Sequence, residues 1–118
     1  MTPPTITYRG GMPHSSAMDE KINVYAAKLL ELQPKVTTCH VIVDEADRRK
    51  RKGGVFEVHV DVHVPGREIV ASHHEHADPY VAAHEAFQAI YRQLEDDIQR
   101  RRRHVRRQED PIGDLPSP

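Results

Sequence analysis

The sequence has few of the residues that cross-link small secreted domains or build a large aromatic core. It contains one cysteine, Cys39, no tryptophan, four tyrosines and two phenylalanines in 118 residues. A single cysteine cannot form an intramolecular disulfide, so a disulfide-bonded secreted scaffold is excluded. The small number of aromatic residues predicts a compact core made mainly of aliphatic side chains.

Long apolar segments are also absent from the sequence. There is no run of about 18 apolar residues, which excludes a transmembrane helix. The first eleven residues, MTPPTITYRGG, contain neither the charged region nor the apolar region of a secretory signal. We therefore expect a cytoplasmic protein. The length predicts a single domain with one core.

Charge is balanced over the whole chain but is unevenly distributed along it. Seventeen Lys and Arg residues oppose 18 Asp and Glu residues, which gives a net charge of −1. Five of the basic residues lie in Arg48–Lys52, and six more lie in Arg100–Arg107. Because the local field governs which partners dock, these two segments are candidate sites for a polyanion despite the net charge.

The hydrophobic pattern predicts the element order β-α-β-β-β-α. The predicted strands cover residues 5–9, 37–44, 56–64 and 67 to about 73, and the predicted helices cover about 16–32 and 78 to about 107. The three consecutive strands should form an antiparallel meander, and the first should pair parallel to its neighbour because a helix separates them. The expected fold is α+β, a four-stranded mixed sheet with both helices on one face. We assign residues 1–107 to this domain and residues 108–118 to a disordered tail.

The second helix has two parts with different composition. Asp78 is the expected N-cap and Pro79 the expected first helical residue. An apolar stripe at three- and four-residue steps should then cover the sheet, and it consists of Tyr80, Ala83, His84, Phe87, Ile90, Tyr91, Leu94 and Ile98. Within this stripe we expect His84 to be partly buried and hydrogen-bonded.

The last turns of this helix consist mostly of arginine. The planar guanidinium group suits phosphate, so Arg100–Arg107 is a candidate phosphate-binding extension. The alternative is a solvated helix end, with cations near the negative end of the helix dipole and partly paired with Glu95, Asp96 and Asp97. The segment Arg48–Lys52 is likewise either a second phosphate site or a soluble hairpin loop. No aromatic residue interrupts either cluster, which favours phosphate and shape contacts over base stacking.

Nine histidines raise the question of a metal site. His59 and His63 share a strand face with Asp61, and the segment from His73 to Asp78 offers more nitrogen and oxygen ligands. No standard metal signature is present, so exposed histidines are the simpler interpretation and we predict no metal and no cofactor. Catalytic motifs are equally unsupported, and Cys39 should be inert on an apolar strand face. We predict that the protein is not an enzyme.

The run from Phe56 to Leu94 resembles the ribosome hibernation family, also called the sigma-54 modulation family, which includes hibernation-promoting factors and ribosome-associated translation inhibitors. The matching motifs are Val64-Pro65-Gly66, Ile69-Val70-Ala71, Asp78-Pro79-Tyr80-Val81-Ala82 and Gln93-Leu94. The chain resembles a short form, without the C-terminal dimerisation domain of long forms. The resemblance implies a fold similar to double-stranded-RNA-binding domains. It also implies a stress-response protein that inhibits translation by occupying the decoding channel of the small ribosomal subunit.

The resemblance also implies where rRNA would bind. The family's basic helix surface corresponds by position to Arg92, Arg100, Arg101 and Arg103, and its basic loop corresponds to the RRKRK segment. Together with the charge pattern, this gives a predicted RNA-binding set of Arg48, Arg49, Lys50, Arg51, Lys52, Arg92, Arg100, Arg101, Arg102, Arg103, Arg106 and Arg107. Two other functions stay open: a small metal-binding protein that uses the histidines, and a protein-interaction module that uses the exposed sheet face.

Overall fold

The computed structural model describes residues 3–46 and 55–109, except for the side chains of residues 46, 73 and 104–109. The elements are β1 (Thr5–Gly10), α1 (Ser16–Leu32), β2 (Thr38–Ala46), β3 (Val55–Val64), β4 (Arg67–His76) and α2 (Pro79–Glu109). The predicted element order and α+β class are confirmed. The predicted disordered tail lies outside the described residues from 110 onward, whereas residues 108 and 109 belong to α2.

The four strands form one mixed sheet in the order β1-β2-β3-β4. β1 runs parallel to β2, with Ile6 opposite Val41, and the other two pairings are antiparallel, as predicted. Alternate residues of β2 and β3 are fully buried, and their valines make the centre of the core. Cys39 lies on the same buried face, where burial, followed by the charge of Asp61, raises the pKa of its thiol to about 12. This thiol is therefore protonated and unreactive at neutral pH.

β3 and β4 are joined by a tight turn at Pro65-Gly66. Gly66 has a φ of 86°, which places it in the left-handed region that a type II turn requires at this position. The turn fixes the register, so Val64 lies opposite Arg67 and His63 lies opposite Glu68. The pairing keeps this register as far as Val60, which lies opposite Ala71.

β4 is three residues longer than the sequence predicts. Its second half, SHHEH, has little strand propensity, but it continues to pair with β3 after a register shift between Val58 and Val60. Beyond the shift, Glu75 lies opposite Glu57 and His76 lies opposite Phe56. The available partner strand, rather than local propensity, therefore sets where β4 ends.

Both helices pack on the valine face of the sheet. Ser15 caps α1 by accepting a hydrogen bond from Met18 N through its hydroxyl, and Asp78 accepts one from Tyr80 N at 2.9 Å at the start of α2. The Asp78 cap agrees with the sequence prediction. Four residues of α1 and seven apolar residues of α2 are buried, namely Met18, Ile22, Ala26, Leu29, Ala82, Ala83, Ala86, Phe87, Ile90, Tyr91 and Leu94.

The buried stripe of α2 is rotated from the predicted one. Tyr80 is 38% exposed, His84 is exposed, and Ile98 is only half-buried, so the predicted burial of these three is wrong in degree. The stripe is centred on Ala83, Ile90 and Leu94, and each residue advances the helix by about 100°. His84 therefore points away from the centre of the stripe, and its Nδ1 lies 3.4 Å from the hydroxyl of Tyr25.

A polar contact joins the end of β1 to the start of α1. The phenol of Tyr8 donates a hydrogen bond to Asp19 Oδ1 at 2.7 Å, and His14 Nε2 lies 2.6 Å from Asp19 Oδ2. The hydrogen bond from Tyr8, supported by His14, holds the pKa of the Asp19 carboxyl below its ordinary value against the opposing effect of burial. Burial, followed by the contact with Asp19, raises the pKa of Tyr8.

We expect Tyr8→Phe to lower the free energy of unfolding by about 1–2 kcal/mol at pH 7, since Asp19 Oδ1 loses its hydrogen-bond donor while Oδ2 keeps its contact with His14. The lowered pKa means that this contribution is present above the unfolded pKa of about 3.9 and is lost as the pH falls further. The difference between the two proteins should therefore shrink below about pH 4. Urea unfolding between pH 3 and 7 measures it, with Tyr25→Phe as the control because Tyr25 contacts no carboxylate through its hydroxyl. The Tyr8 hydroxyl also donates to the Ser15 carbonyl at 3.1 Å, which does not titrate, so a small difference should remain at the acid end. A difference that does not shrink at all would contradict the assignment.

Candidate nucleic-acid interface

α2 is fixed to the edge of the sheet before its arginine segment begins. β4 is an edge strand, and Gln93 Nε2 of α2 donates a hydrogen bond to its Val70 carbonyl at 2.9 Å. The neighbouring Leu94 is fully buried. The Gln93-Leu94 pair thus has a structural role. Gln93 hydrogen-bonds a backbone carbonyl of the edge strand, and Leu94 packs in the core.

Asp97 is the one buried charged side chain among the residues that the structure describes, with 2% of its side-chain surface exposed. Arg67, at the start of β4, donates a hydrogen bond to its Oδ1. Arg101, one turn further along α2, places Nε 3.3 Å from Oδ2 and donates to the Pro65 carbonyl at 3.2 Å. These contacts join the arginine segment to the β3–β4 turn.

The network divides the arginines of α2 into two groups. Arg101 faces the sheet and is engaged with Asp97 and Pro65. Arg100, Arg102 and Arg103 are exposed, and helical rotation of about 100° per residue places them on the flanks and the outer side. The backbone of α2 continues to Glu109, which is about 18 Å beyond Asp97 at 1.5 Å per residue. Exposed guanidinium groups are therefore presented on a helix that extends beyond its last buried residue.

The outer side of the helix also contains acidic and amide groups. Asp96, Gln99, Arg100 and Arg103 line a shallow, open polar depression. Arg92 is exposed, and eleven residues of helical rotation place Arg103 about 20° from it, on the same side. Two arginines and an amide offer fixed donors for a phosphate, while Asp96 opposes an anion at one border of the depression.

Several predicted contact residues fall outside this description. Arg48, Arg49, Lys50, Arg51 and Lys52 lie outside the described residues, as do the side chains of Arg106 and Arg107. The residues that flank the RRKRK segment, Ala46 and Val55, are paired with each other. They lie at the opposite end of β3 from the turn that Arg101 contacts, which is a distance of about 30 Å at 3.3 Å per residue.

α1 adds basic groups that the sequence analysis missed. Lys28 lies over the ring of Tyr91 at 5.1 Å from its centroid, and Lys21 lies over Tyr25 at 5.7 Å. Their seven-residue spacing was a readable signal, because it places both lysines on one side of α1. Since Tyr91 belongs to α2, Lys28 brings positive charge to the groove between the helices and enlarges the candidate interface.

The opposite face of the sheet has the wrong charge for a nucleic acid. The strand register places five acids there, namely Asp44, Glu57, Asp61, Glu68 and Glu75. Arg9 is the basic residue that meets Asp44 across the β1–β2 pairing. Such a face repels phosphate. A polyanion is therefore expected on the helical side of the molecule or at the arginine end.

The histidines of the metal hypothesis do not form one cluster in the described part of the chain. His59 lies beside Arg9, Ile42, Asp44 and Glu57. His76 accepts a hydrogen bond from Asp78 N through Nδ1, at 2.9 Å, so this ring nitrogen supports the start of α2. The side chain of His73 lies outside the described residues. His63 is the one histidine that the structure groups with two carboxylates, those of Asp61 and Glu68.

The sequence profile of the family described as Sigma 54 modulation protein / S30EA ribosomal protein matches residues 5–102. The chain belongs to this family. The match covers every element from β1 through the exposed Arg102, so the arginine segment of this member begins within the family's domain. The family resemblance seen in the sequence is thereby confirmed.

Solved structures show the same fold at low sequence identity. The N-terminal domain of Protein Y from Thermus thermophilus has a TM-score of 0.64 and 17% identity, over 77% of this chain and 93% of that domain. A ribosomal subunit interface protein from Coxiella burnetii has a TM-score of 0.60 and 22% identity, over 80% of this chain and 98% of that protein's chain. A search of curated proteins finds no significant match. Within the described ranges, no helix is long and apolar enough to cross a membrane.

Proposed function

We propose that this protein is a ribosome-associated hibernation factor that inhibits translation. In this proposal it binds rRNA in the decoding channel of the small subunit and excludes mRNA and tRNA by occupancy, in the cytoplasm. Family membership supports association with ribosomes. The Coxiella burnetii neighbour is described as a ribosomal subunit interface protein, which is consistent with this location. Blocking by occupancy requires no catalytic residue.

The observation that carries the proposal is the exposed group Arg100, Arg102 and Arg103 on the extension of α2. Arginine forms paired hydrogen bonds with phosphate oxygens, and several arginines on one helix can follow a nucleic-acid backbone. The acidic sheet face disfavours contact on the opposite side, so the charge distribution orients the protein on a polyanion. The proposed contact set also includes Arg92, Arg106, Arg107 and the RRKRK segment, whereas Arg101 is engaged with Asp97 and the Pro65 carbonyl.

The proposed partner is extended rather than compact. The two residues that flank the RRKRK segment and the turn near Arg101 lie about 30 Å apart along β3. We infer that a partner that contacts both basic segments presents phosphates over roughly that distance. The rRNA that lines a channel meets this requirement, and a single small anion does not.

A binding and competition experiment tests the proposal. We expect the protein to co-sediment with purified small subunits and to reduce tRNA binding to mRNA-programmed subunits in proportion to its occupancy. Binding should weaken steeply between about 50 and 200 mM salt, because each phosphate contact releases counterions. Full occupancy with undiminished tRNA binding would rule out the decoding-channel mechanism. Equal binding to small and large subunits would rule out the small subunit as the specific partner.

A further inference from the structure

A His-carboxylate cluster lies on the open sheet face, beside the β3–β4 turn. We propose that Asp61, His63 and Glu68 form a binding site for a divalent transition metal, with Zn²⁺ as the best-suited ion. Asp61 and His63 are two residues apart on β3 and point to the same face, and the β3–β4 register places Glu68 directly opposite His63. The three side chains are therefore brought together by a hairpin whose register the Pro65-Gly66 turn fixes.

The spacing of the ligand atoms suits a tetrahedral ion. His63 Nε2 lies 3.0 Å from Glu68 Oε2 and 3.5 Å from Asp61 Oδ1. Zinc bonds of about 2.0–2.1 Å to nitrogen and oxygen place neighbouring tetrahedral ligands roughly 3.3–3.4 Å apart. The two observed distances bracket this value. One ligand atom from each of the three residues lies within 4.8 Å of the others, so a small rotation of Glu68, which is 46% exposed, can complete the arrangement.

Asp61 provides a second observation that points to a bound cation. Its Oδ1 has essentially no exposure to solvent, yet it has no hydrogen-bond partner within the described residues. A buried carboxylate oxygen without a donor is costly, typically by about 1–3 kcal/mol. His63 Nε2 lies 3.5 Å from this oxygen, which is too distant for a good hydrogen bond. A cation between Asp61, His63 and Glu68 would satisfy this oxygen.

The chemistry of the three ligands selects among ions. One imidazole and two carboxylates are typical donors for Zn²⁺ and related transition metals, whereas Mg²⁺ and Ca²⁺ prefer oxygen alone. The two carboxylates supply two negative charges, which attract a divalent ion. His63 is 51% exposed, so the ion can enter from solvent and keep water as its fourth ligand. The competing arrangement is a protonated His63 that pairs with both acids and binds no metal.

Metal titration of the tag-free protein distinguishes these two arrangements. At pH 7 we expect Zn²⁺ to bind with one strong site by calorimetry, and Co²⁺ to give the visible absorption of a tetrahedral nitrogen-oxygen site. His63→Gln and Glu68→Gln should each weaken Zn²⁺ binding about tenfold or more, since each removes one of only three protein ligands. His84→Gln is the matched control, because it removes an exposed histidine from α2 and should leave the affinity unchanged.

The fold of each variant can be checked independently of the metal. Because His63 and Glu68 are about half exposed, their variants should unfold at the same temperature as the parent protein in chelator. Zn²⁺ should then raise the thermal unfolding midpoint of the parent and of His84→Gln. It should raise the midpoints of His63→Gln and Glu68→Gln much less. Absence of Zn²⁺ binding below millimolar concentration would overturn the proposal. Equal binding by the parent and His63→Gln would also overturn it, by placing the ion elsewhere.

Discussion

Replacing Arg67 with alanine should destabilise the protein by about 2–4 kcal/mol, and replacing Asp97 with leucine should cost less than about 1 kcal/mol. The asymmetry follows from exposure. Asp97 has 2% of its side-chain surface exposed, whereas Arg67 and Arg101 have 41% and 48%. Loss of Arg67 leaves a carboxylate buried with Arg101 as its remaining ion-pair partner. Loss of Asp97 leaves two guanidinium groups that can turn to water.

The geometry around Asp97 explains why Arg101 cannot replace Arg67. Arg101 Nε lies 3.3 Å from Asp97 Oδ2, but it forms an ion pair there rather than an aligned hydrogen bond, and Oδ2 has no hydrogen-bond partner in the described structure. Arg67 supplies the hydrogen bond to the other oxygen. The expected cost lies below that of a fully isolated buried charge because the ion pair with Arg101 persists.

Urea unfolding of four proteins measures the interaction free energy between Arg67 and Asp97. The set consists of the parent, Arg67→Ala, Asp97→Leu and the double variant, which together form a double-mutant cycle. The double variant should be more stable than Arg67→Ala alone, because it removes the buried charge that the single substitution leaves unpaired. Arg67→Lys is the control that keeps the positive charge but lacks the guanidinium geometry. Its free energy of unfolding should lie between those of the parent and Arg67→Ala. A double variant that is less stable than Arg67→Ala would contradict the role assigned to Asp97.

The strands were predictable because their residues alternate without interruption. Val58, Val60 and Val62 are each fully buried, and His59 and Asp61 between them lie on the opposite face of the sheet. This two-residue period requires one buried face, and the helix spacing of α1 and α2 then requires that face to be shared. Capping signals were equally local, since Ser15 and Asp78 act within two or three residues of their own positions. Local patterns thus determined the architecture.

The features missed from the sequence depend on contacts between distant segments. Asp97 follows Ile90 and Leu94 at helical spacing, so an acid in the apolar stripe was a visible signal, but its partner Arg67 is 30 residues away. Glu68 was overlooked as a neighbour of His63, although the two-residue turn at Pro65-Gly66 determines that pairing. The register shift after Val58 had no comparable signal, and neither did the added length of β4.

The same contacts change how the arginine segment should be interpreted. Sequence position alone treats Arg100, Arg101, Arg102 and Arg103 as equivalent. In the structure all four are exposed, but Arg101 faces the sheet, pairs with Asp97 and donates a hydrogen bond to the Pro65 carbonyl. Substitutions of these residues should therefore affect different properties: RNA affinity for the exposed group, and the attachment of α2 to the β3–β4 turn for Arg101.

The triple variant Arg100→Gln/Arg102→Gln/Arg103→Gln should bind small ribosomal subunits roughly 100-fold more weakly at about 0.1 M salt. Each lost phosphate contact reduces the slope of log affinity against log salt by about 0.7–0.9, so three contacts reduce it by about 2–3. Over the decade between about 0.1 and 1 M salt, that change in slope corresponds to two or more orders of magnitude. Glutamine is as good a helix former as arginine, so α2 should persist.

Arg101→Gln is the matched control for this experiment, since it removes one arginine of the same segment that is already engaged with the fold. Its salt slope should stay essentially unchanged, whereas the loss of one phosphate contact would reduce the slope by about 0.7–0.9. The urea midpoint of Arg101→Gln should fall. That of the triple variant should not, because exposed guanidinium groups that are hydrated in the folded protein contribute little to its stability. Sedimentation at several salt concentrations, combined with urea unfolding, separates the two effects. An unchanged slope in the triple variant, or an equal slope change in Arg101→Gln, would show that exposure in this structure does not identify the arginines that contact phosphate.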